Sequence, residues 1–281
     1  LRGAGRLCFS LYSELFFMWH IPLSDSALGA ALLALNLYAL IGVVVALVLG
    51  GMVKGIVSIG VPLVAMPILS HLMPVKDAVL LLSMPIVLGN IPLALEGGQM
   101  LPTVRRLAAP LIGTILGNIV GVTTVIALAP HRAQAAAGIV LVVAVLLMLA
   151  TPRFRLAPGW VRPAGFILGF GAAVMESIAS IPGPLLAMYL IATGATGRVF
   201  TKQIAIILVV SIVTLVATFG TAHHAIGLDL LISAAASLPV LLGIVLVRPL
   251  RDRLPAATFR LLVLIFVLGA ALQMIWKSGV L

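Results

Sequence analysis

From residue 27 onward, long apolar runs alternate with short polar turns, and most runs match the roughly 20 residues that one helical bilayer crossing needs. Residues 27–73 form one apolar stretch, much longer than a single crossing, which Pro74-Val75-Lys76-Asp77 ends. Helices are predicted over about 77–96, 104–129 and 133–151. The loop 152–163, with Arg153, Arg155, Arg162 and three prolines, interrupts the pattern. It then restarts with a second over-long run over 164–195, followed by spans over 199–222, 226–247 and 256–276.

Both over-long runs contain a break, and the breaks are related. Ser58-Ile59-Gly60-Val61-Pro62-Leu63-Val64-Ala65-Met66-Pro67 becomes, 122 positions later, Ser180-Ile181-Pro182-Gly183-Pro184-Leu185-Leu186-Ala187-Met188-Tyr189. Ser, Ile, the proline at 62 and 184, Leu, Ala and Met recur in register, and the glycines and prolines interrupt a helix there. The same offset joins Lys54 to Glu176 (176 − 54 = 122), the ionisable residues deepest in the two runs. Two duplicated breaks, each beside a buried charge, are the sequence mark of a secondary transporter.

Composition fixes the class. The chain has 281 residues, 63% hydrophobic and 9% charged, with a mean hydropathy of +1.30. A soluble domain carries about 25% charged residues, so this is an all-α polytopic membrane protein. The net charge of +10 lies in short inter-helix loops, where it signals topology and contact with anionic lipid and does not point to nucleic acid. No inter-run segment is long enough to bury a soluble core. The single cysteine, Cys8, excludes an internal disulfide framework and a Cys-based metal site. The expected division is a lead-in over 1–26, interfacial or partly spanning, a first repeat over 27–151, a linker over 152–163 and a second repeat over 164–281.

The basic residues choose between two topologies. Eight simple crossings divide them eight against eight, which the positive-inside rule does not produce. If each broken run instead enters and returns on one side, eleven fall together: Arg105, Arg106, Arg153, Arg155, Arg162, Arg198, Lys202, Arg248, Arg251, Arg253 and Arg260. Only Lys76, Arg132 and Lys277 lie opposite, the N-terminal arginines aside. The pattern favours two inverted repeats, each a broken or re-entrant helical hairpin followed by three transmembrane helices, with 152–163 cytoplasmic.

Non-helical backbone at membrane depth survives only where protein or a wet cavity satisfies it. Proline suits a first helical turn, so helices begin at Pro62 and Pro184, with free N–H groups and positive dipole ends facing the membrane centre. Gly60, Pro62, Pro182, Gly183 and Pro184 would then shape a backbone site for a small anion; the plain alternative is a pair of packed proline kinks. An unpaired lysine at mid-depth costs roughly 2.5–3.5 kcal/mol on insertion scales. Lys54 therefore either pairs with Glu176 or helps to hold the anion while Glu176 exchanges a coupling proton. Asn90 and Asn118 are candidate donors to the anion or interhelical hydrogen bonds. Ser58 and Ser180 donate through their hydroxyls or cap the following helices. Met66 and Met188 read as packing, His223 and His224 as a loop pair and Glu96 as solvated. Gly113, Gly117 and Gly121, four residues apart, permit close approach of another helix.

Gly51-x-x-Lys54-Gly55-x-x-x-x-Gly60-x-Pro62-x-x-x-x-Pro67 and Pro182-Gly183-Pro184-x-x-x-x-Tyr189-x-x-x-x-Gly194 resemble the sulfite exporter TauE/SafE family, also called the toluene-sulfonate uptake permease family. The resemblance extends over about 38–278. It implies two repeats, each opening with a glycine-rich broken helix, and transport of sulfite, organosulfonates or related small anions. Glu176, Ser177, Ala179 and Ser180 stand where that family often carries glycine. The competing classes are a membrane-embedded lipid-modifying enzyme, and a channel or scaffold. The spans contain no His-Glu-x-x-His, no Gly-x-Ser-x-Gly and no paired carboxylate within one turn. The expectation is a non-enzymatic exporter in a bacterial cell (inner) membrane, without cofactor or metal, whose partners are a small anion, membrane lipid and, if it is a homodimer, a second copy.

Overall fold

The computed structural model describes residues 26–57, 60–150, 155–222, 226–251 and 256–279. Among them every regular element is helical. In chain order these are α1 (Ala27–Leu33), α2 (Leu37–Val57), α3 (Pro62–Leu72), α4 (Val75–Leu95), α5 (Met100–Arg106), α6 (Ala108–Ala127) and α7 (Pro130–Ala150). A 3-10 turn, Pro158–Trp160, leads into α8 (Val161–Ala179), α9 (Gly183–Ala192) and α10 (Gly197–Ala222). The last three are α11 (Ile226–Ala235), α12 (Ser237–Arg251) and α13 (Ala256–Lys277). Eight segments of the described residues are long and apolar enough to cross a membrane. Their outward faces carry exposed Leu37, Leu146, Leu242, Leu262 and Ile265, which suits contact with lipid. The chain is a multi-pass membrane protein.

Three boundaries differ from the sequence reading. The 27–73 stretch is three helices, because the side-chain oxygen of Asn36 accepts the N–H of Ala39 at 2.9 Å and starts α2 afresh. The 104–129 span divides at Leu107 into α5 and α6, and the 226–247 span divides at Ala236 into α11 and α12. Residues 1–25 of the N-terminal lead-in, Ser58 and the pair His223 and His224 lie outside the described residues.

Both breaks fall where the duplication places them. Pro62 opens α3 and Pro184 stands in the first turn of α9. α3 has 11 residues and α9 has 10, about 15–17 Å of helix and roughly half of a hydrocarbon core of about 30 Å. Each folds back on the helix before it. A methyl group at Gly42 would lie 3.1 Å from the Leu72 side chain, and one at Gly50 would lie 2.8 Å from Val61. α3 therefore runs antiparallel along α2. Gly171 lies against Leu185 and Gly165 against the Tyr189 hydroxyl, so α9 runs back along α8 in the same way.

The two long arms are clasped by other helices at glycine-to-carbonyl distance. Gly113 and Gly117 abut the backbone carbonyls of Phe166 and Phe170, and Gly121 abuts Ser177, so the glycine row of α6 packs on α8. Gly51 abuts the Val240 carbonyl and Gly243 the Val48 carbonyl, which joins α2 to α12. A Cβ at Gly51, Gly113, Gly117 or Gly243 would collide with main chain, which cannot move aside as a side-chain end can. α4 packs on α10 and α7 on α13. One buried apolar cluster includes Val61 and Met66 beside the first break and Ile178 and Ile181 beside the second.

The prolines inside α4 also need repair. Pro85 has no N–H, which leaves the Leu81 carbonyl without its helical partner. Ser233 of α11 donates its hydroxyl to that carbonyl at 2.9 Å and accepts the Met84 N–H at 3.0 Å. One side chain thus satisfies two backbone groups that lipid could not.

Loop contacts sort the helix ends. Lys202 donates to the Gly98 carbonyl, Leu156 N–H to the Ala192 carbonyl at 2.9 Å, and Arg260 to the Met148 carbonyl at 2.8 Å. At the other end Gln134 donates to the Ser70 carbonyl at 3.4 Å, and the Ser70 hydroxyl reaches the Met274 sulfur at 3.3 Å. Single cysteines at Leu101, Gly159 and Thr196, in a Cys8→Ser background, should therefore react with an impermeant thiol reagent from one side of sealed vesicles. Cysteines at His131 and Lys277 should react from the other. Labelling of Gly159 and Thr196 from opposite sides would contradict this arrangement.

Candidate functional site

The second break is made by a left-handed residue. Ser180 has φ +56°, an uncommon conformation for a residue with a Cβ, and its N–H donates to the Glu176 carbonyl at 2.7 Å to close α8. The left-handed turn therefore falls at Ser180 and not at the glycine three residues on. Gly183 is the first residue of α9 and its φ is not positive. Nothing described lies within 4 Å of where its Cβ would be. Gly60, before the first break, is exposed. Pro182 and Val61, the residues ahead of α9 and α3, contribute no side-chain hydrogen bond to the first turn. Pro62 and Pro182 are buried and Pro184 is half-buried. Both short helices therefore begin at the breaks without a side-chain cap, and at the second break there is room beside the chain.

One turn before the second break, Glu176 is fully buried among α6, α8 and α10. Its Oε2 accepts from the Ser211 hydroxyl and, at 3.5 Å, from the Asn118 amide. Asn118 also donates to the Ser211 carbonyl at 2.7 Å and its hydroxyl at 2.8 Å, and it accepts from the Ser177 hydroxyl at 2.9 Å. Asn118, Ser177 and Ser211 are themselves fully buried. The Glu176 Oε1 atom is buried with no hydrogen-bond partner among the described residues. The network thus ties three helices together and leaves one carboxyl oxygen uncommitted.

Lys54 holds the corresponding place in the first repeat with opposite chemistry. It sits in the last turn of α2, and a methyl group at Gly89 would lie 2.7 Å from its Nζ. Glycine at 89 thus leaves room for the ammonium head. Gly89 and Ser211 are themselves related by the repeat offset (211 − 89 = 122). The cation meets α4 at the position where the carboxyl group meets α10. Among the described residues neither ionisable group has an ion-pair partner, so the structural pair between Lys54 and Glu176 is not formed.

The remaining candidates divide. Asn118 joins Glu176, whereas Asn90 donates to the Ile86 carbonyl of its own helix at 2.7 Å. Ser180 is buried at the break, and its hydroxyl makes no hydrogen bond among the described residues. Met66 is fully buried, as a packing residue should be, and Glu96 is exposed. Ser177 and Ser211 were not singled out as site residues. Their only sequence signal is that the offset of 122 carries Gly55 to Ser177 and Gly89 to Ser211.

No curated protein and no solved structure matches the chain. A family model described as sulfite exporter TauE/SafE matches residues 26–274, which covers both breaks, the Glu176 network and every described crossing up to the last turn of α13. With its two half-length helices folded back at duplicated breaks, the chain belongs to the sulfite exporter TauE/SafE family.

Proposed function

We propose that this protein is a secondary transporter, working as an exporter, of a small anion such as sulfite or an organosulfonate in a bacterial cell (inner) membrane. The observation that carries the reading is the pair of uncapped helix N-termini at Pro62 and Gly183, which open two half-length helices inside span-long apolar runs. Free N–H groups and a positive dipole end attract an anion, and irregular backbone at that depth belongs to a cavity. Family membership supports the substrate class.

In this reading the two halves are inverted repeats. Support comes from the ends at which the hairpins open. The first meets its neighbours where Ser70 contacts Gln134 and Met274, and the second where Ala192 contacts Leu156. Inversion brings the two breaks together near the midplane, with the anion between them. Gly60, Pro62, Pro182, Gly183 and Pro184 shape the site, and Ser180 offers a hydroxyl. Lys54 supplies a cation one turn before the first break. Ser58 occupies the symmetry-related place in the sequence. Asn118 acts through Glu176, which would carry the coupling proton on its uncommitted oxygen: an ionised carboxylate beside an anion repels it, so loading the proton and the anion together avoids the clash. Asn90, bonded to its own helix, is the weakest member of the set.

Binding titration of purified variants tests the site. Gly183→Val places two methyl groups in open space at the start of α9, so the fold should survive while sulfite binding is lost. Ser180→Ala removes one hydroxyl donor, worth about 0.5–1.5 kcal/mol, and should weaken binding about three- to tenfold. Lys54→Met should fall between the two, with a loss that shrinks at high salt. Wild-type affinity in Gly183→Val would move the site away from the breaks.

Glu176→Gln separates coupling from structure. The amide keeps the shape and still accepts from Ser211, but it cannot exchange a proton. Exchange of sulfite across proteoliposomes should persist, while acceleration by a pH gradient should vanish. Undiminished acceleration would show that the coupling proton travels elsewhere.

A further inference from the structure

A second polar feature lies at the end of the bundle where α4 finishes and α10 begins, with the short helix α9 between it and the second break. A cleft of about 520 Å³ opens there, lined by Arg106, Arg198, Lys202, Gln99, Thr103 and Gln203, within the size range of small-molecule sites, roughly 300–1,000 Å³. Its cations are arranged for a ligand. Arg106 lies in the last turn of α5, and Arg198 and Lys202 lie in the opening turns of α10. Lys202 is occupied with the Gly98 carbonyl, which pins a loop whose residues Gly97, Gly98 and Gln99 all have positive φ. The two arginines have no such partner among the described residues. Glu96 is the one carboxylate on the lining, so three cations against one anion leave the cleft at +2.

Gln203 separates this cleft from an ordinary basic loop. It is only 5% exposed, it lines the cleft, and its side-chain amide has no hydrogen-bond partner among the described residues. The lining thus places an amide with two N–H groups alongside two guanidinium groups, all of them donors that one bound oxyanion can accept from. Arginine forks suit a planar or tetrahedral oxyanion, and an amide N–H completes such a shell. The amino end of α10, the longest described helix at 26 residues, adds its dipole to the same attraction.

We infer that this cleft is a second oxyanion site, at the mouth of the protein, which takes a sulfonate, sulfite or phosphate group through Arg106, Arg198 and Gln203. Its distinction from the site at the breaks is positional, since it stands at helix ends shared with the linker loop. Its role as a waiting position for the transported anion rests on the transport reading. Its ability to bind an oxyanion does not. Sulfite from solution and the phosphate of an anionic lipid present the same chemistry to it.

The test uses full-length protein, inorganic sulfite and nanodiscs with or without phosphatidylglycerol. Two variants are compared with wild type: Arg106→Gln/Arg198→Gln, which removes charge, and Gln203→Leu, which removes the amide and leaves charge unchanged. Both arginines are exposed, so the double variant should melt like wild type. In lipid-free detergent at low salt, the double variant should lose about tenfold or more in affinity for sulfite at this site, and Gln203→Leu about three- to tenfold. In flux assays both should raise KM with kcat preserved. A loss seen only as fewer retained phosphatidylglycerol molecules by native mass spectrometry would assign the cleft to lipid phosphate, with the same residues holding it. Wild-type sulfite affinity, lipid retention and KM in both variants would overturn the inference and leave the transport reading intact. Loss of oxyanion binding in a protein that moves no anion would uphold the cleft and remove the transport reading.

Discussion

A peptide group in hydrocarbon can send its hydrogen bond only into the protein, and this chain interrupts two of its longest apolar runs. The breaks persist because each long arm is held at main-chain distance by a helix from the other half. Gly113, Gly117 and Gly121 let α6 meet α8, and Gly51 and Gly243 let α2 meet α12. At such distances dispersion contacts replace the hydrophobic drive that lipid does not provide. The same demand explains Ser233, whose one hydroxyl serves both backbone groups disturbed by Pro85. Each half is therefore packed against the other through these glycines.

The two halves differ chemically where they correspond in position. Lys54 lies against Gly89, and Glu176 lies against Ser211 with Asn118 and Ser177 around it. The lysine side is bare, its ammonium accommodated by an absent side chain. The glutamate side is tied into three helices but keeps Oε1 uncommitted. One cation and one carboxyl group therefore stand at corresponding places of the duplication, and among the described residues they do not pair with each other.

Much of this was legible in the sequence because duplication leaves a register that can be counted. The breaks and the glycine row facing another helix both follow from spacing. The turn at Ser180 did not, since a serine with positive φ looks like any serine in the sequence. The Ser177–Asn118–Ser211 network was hidden because its members come from three helices, and a serine in an apolar run usually bonds its own helix. The divisions at Leu107 and Ala236 were missed although each stands three residues before a proline, Pro110 or Pro239, which leaves the carbonyl of Arg106 or Ala235 without its helical partner.

The central claim is that the breaks hold an anion which the protein carries across the membrane. Counterflow of labelled sulfite into proteoliposomes preloaded with unlabelled sulfite tests it most directly, since only a carrier that reorients with substrate bound produces a transient overshoot. The account predicts a saturable overshoot in wild type that collapses when the unlabelled anion is omitted from the lumen. Uptake that is linear in concentration and indifferent to the internal anion would contradict it and assign the protein to a channel or a scaffold.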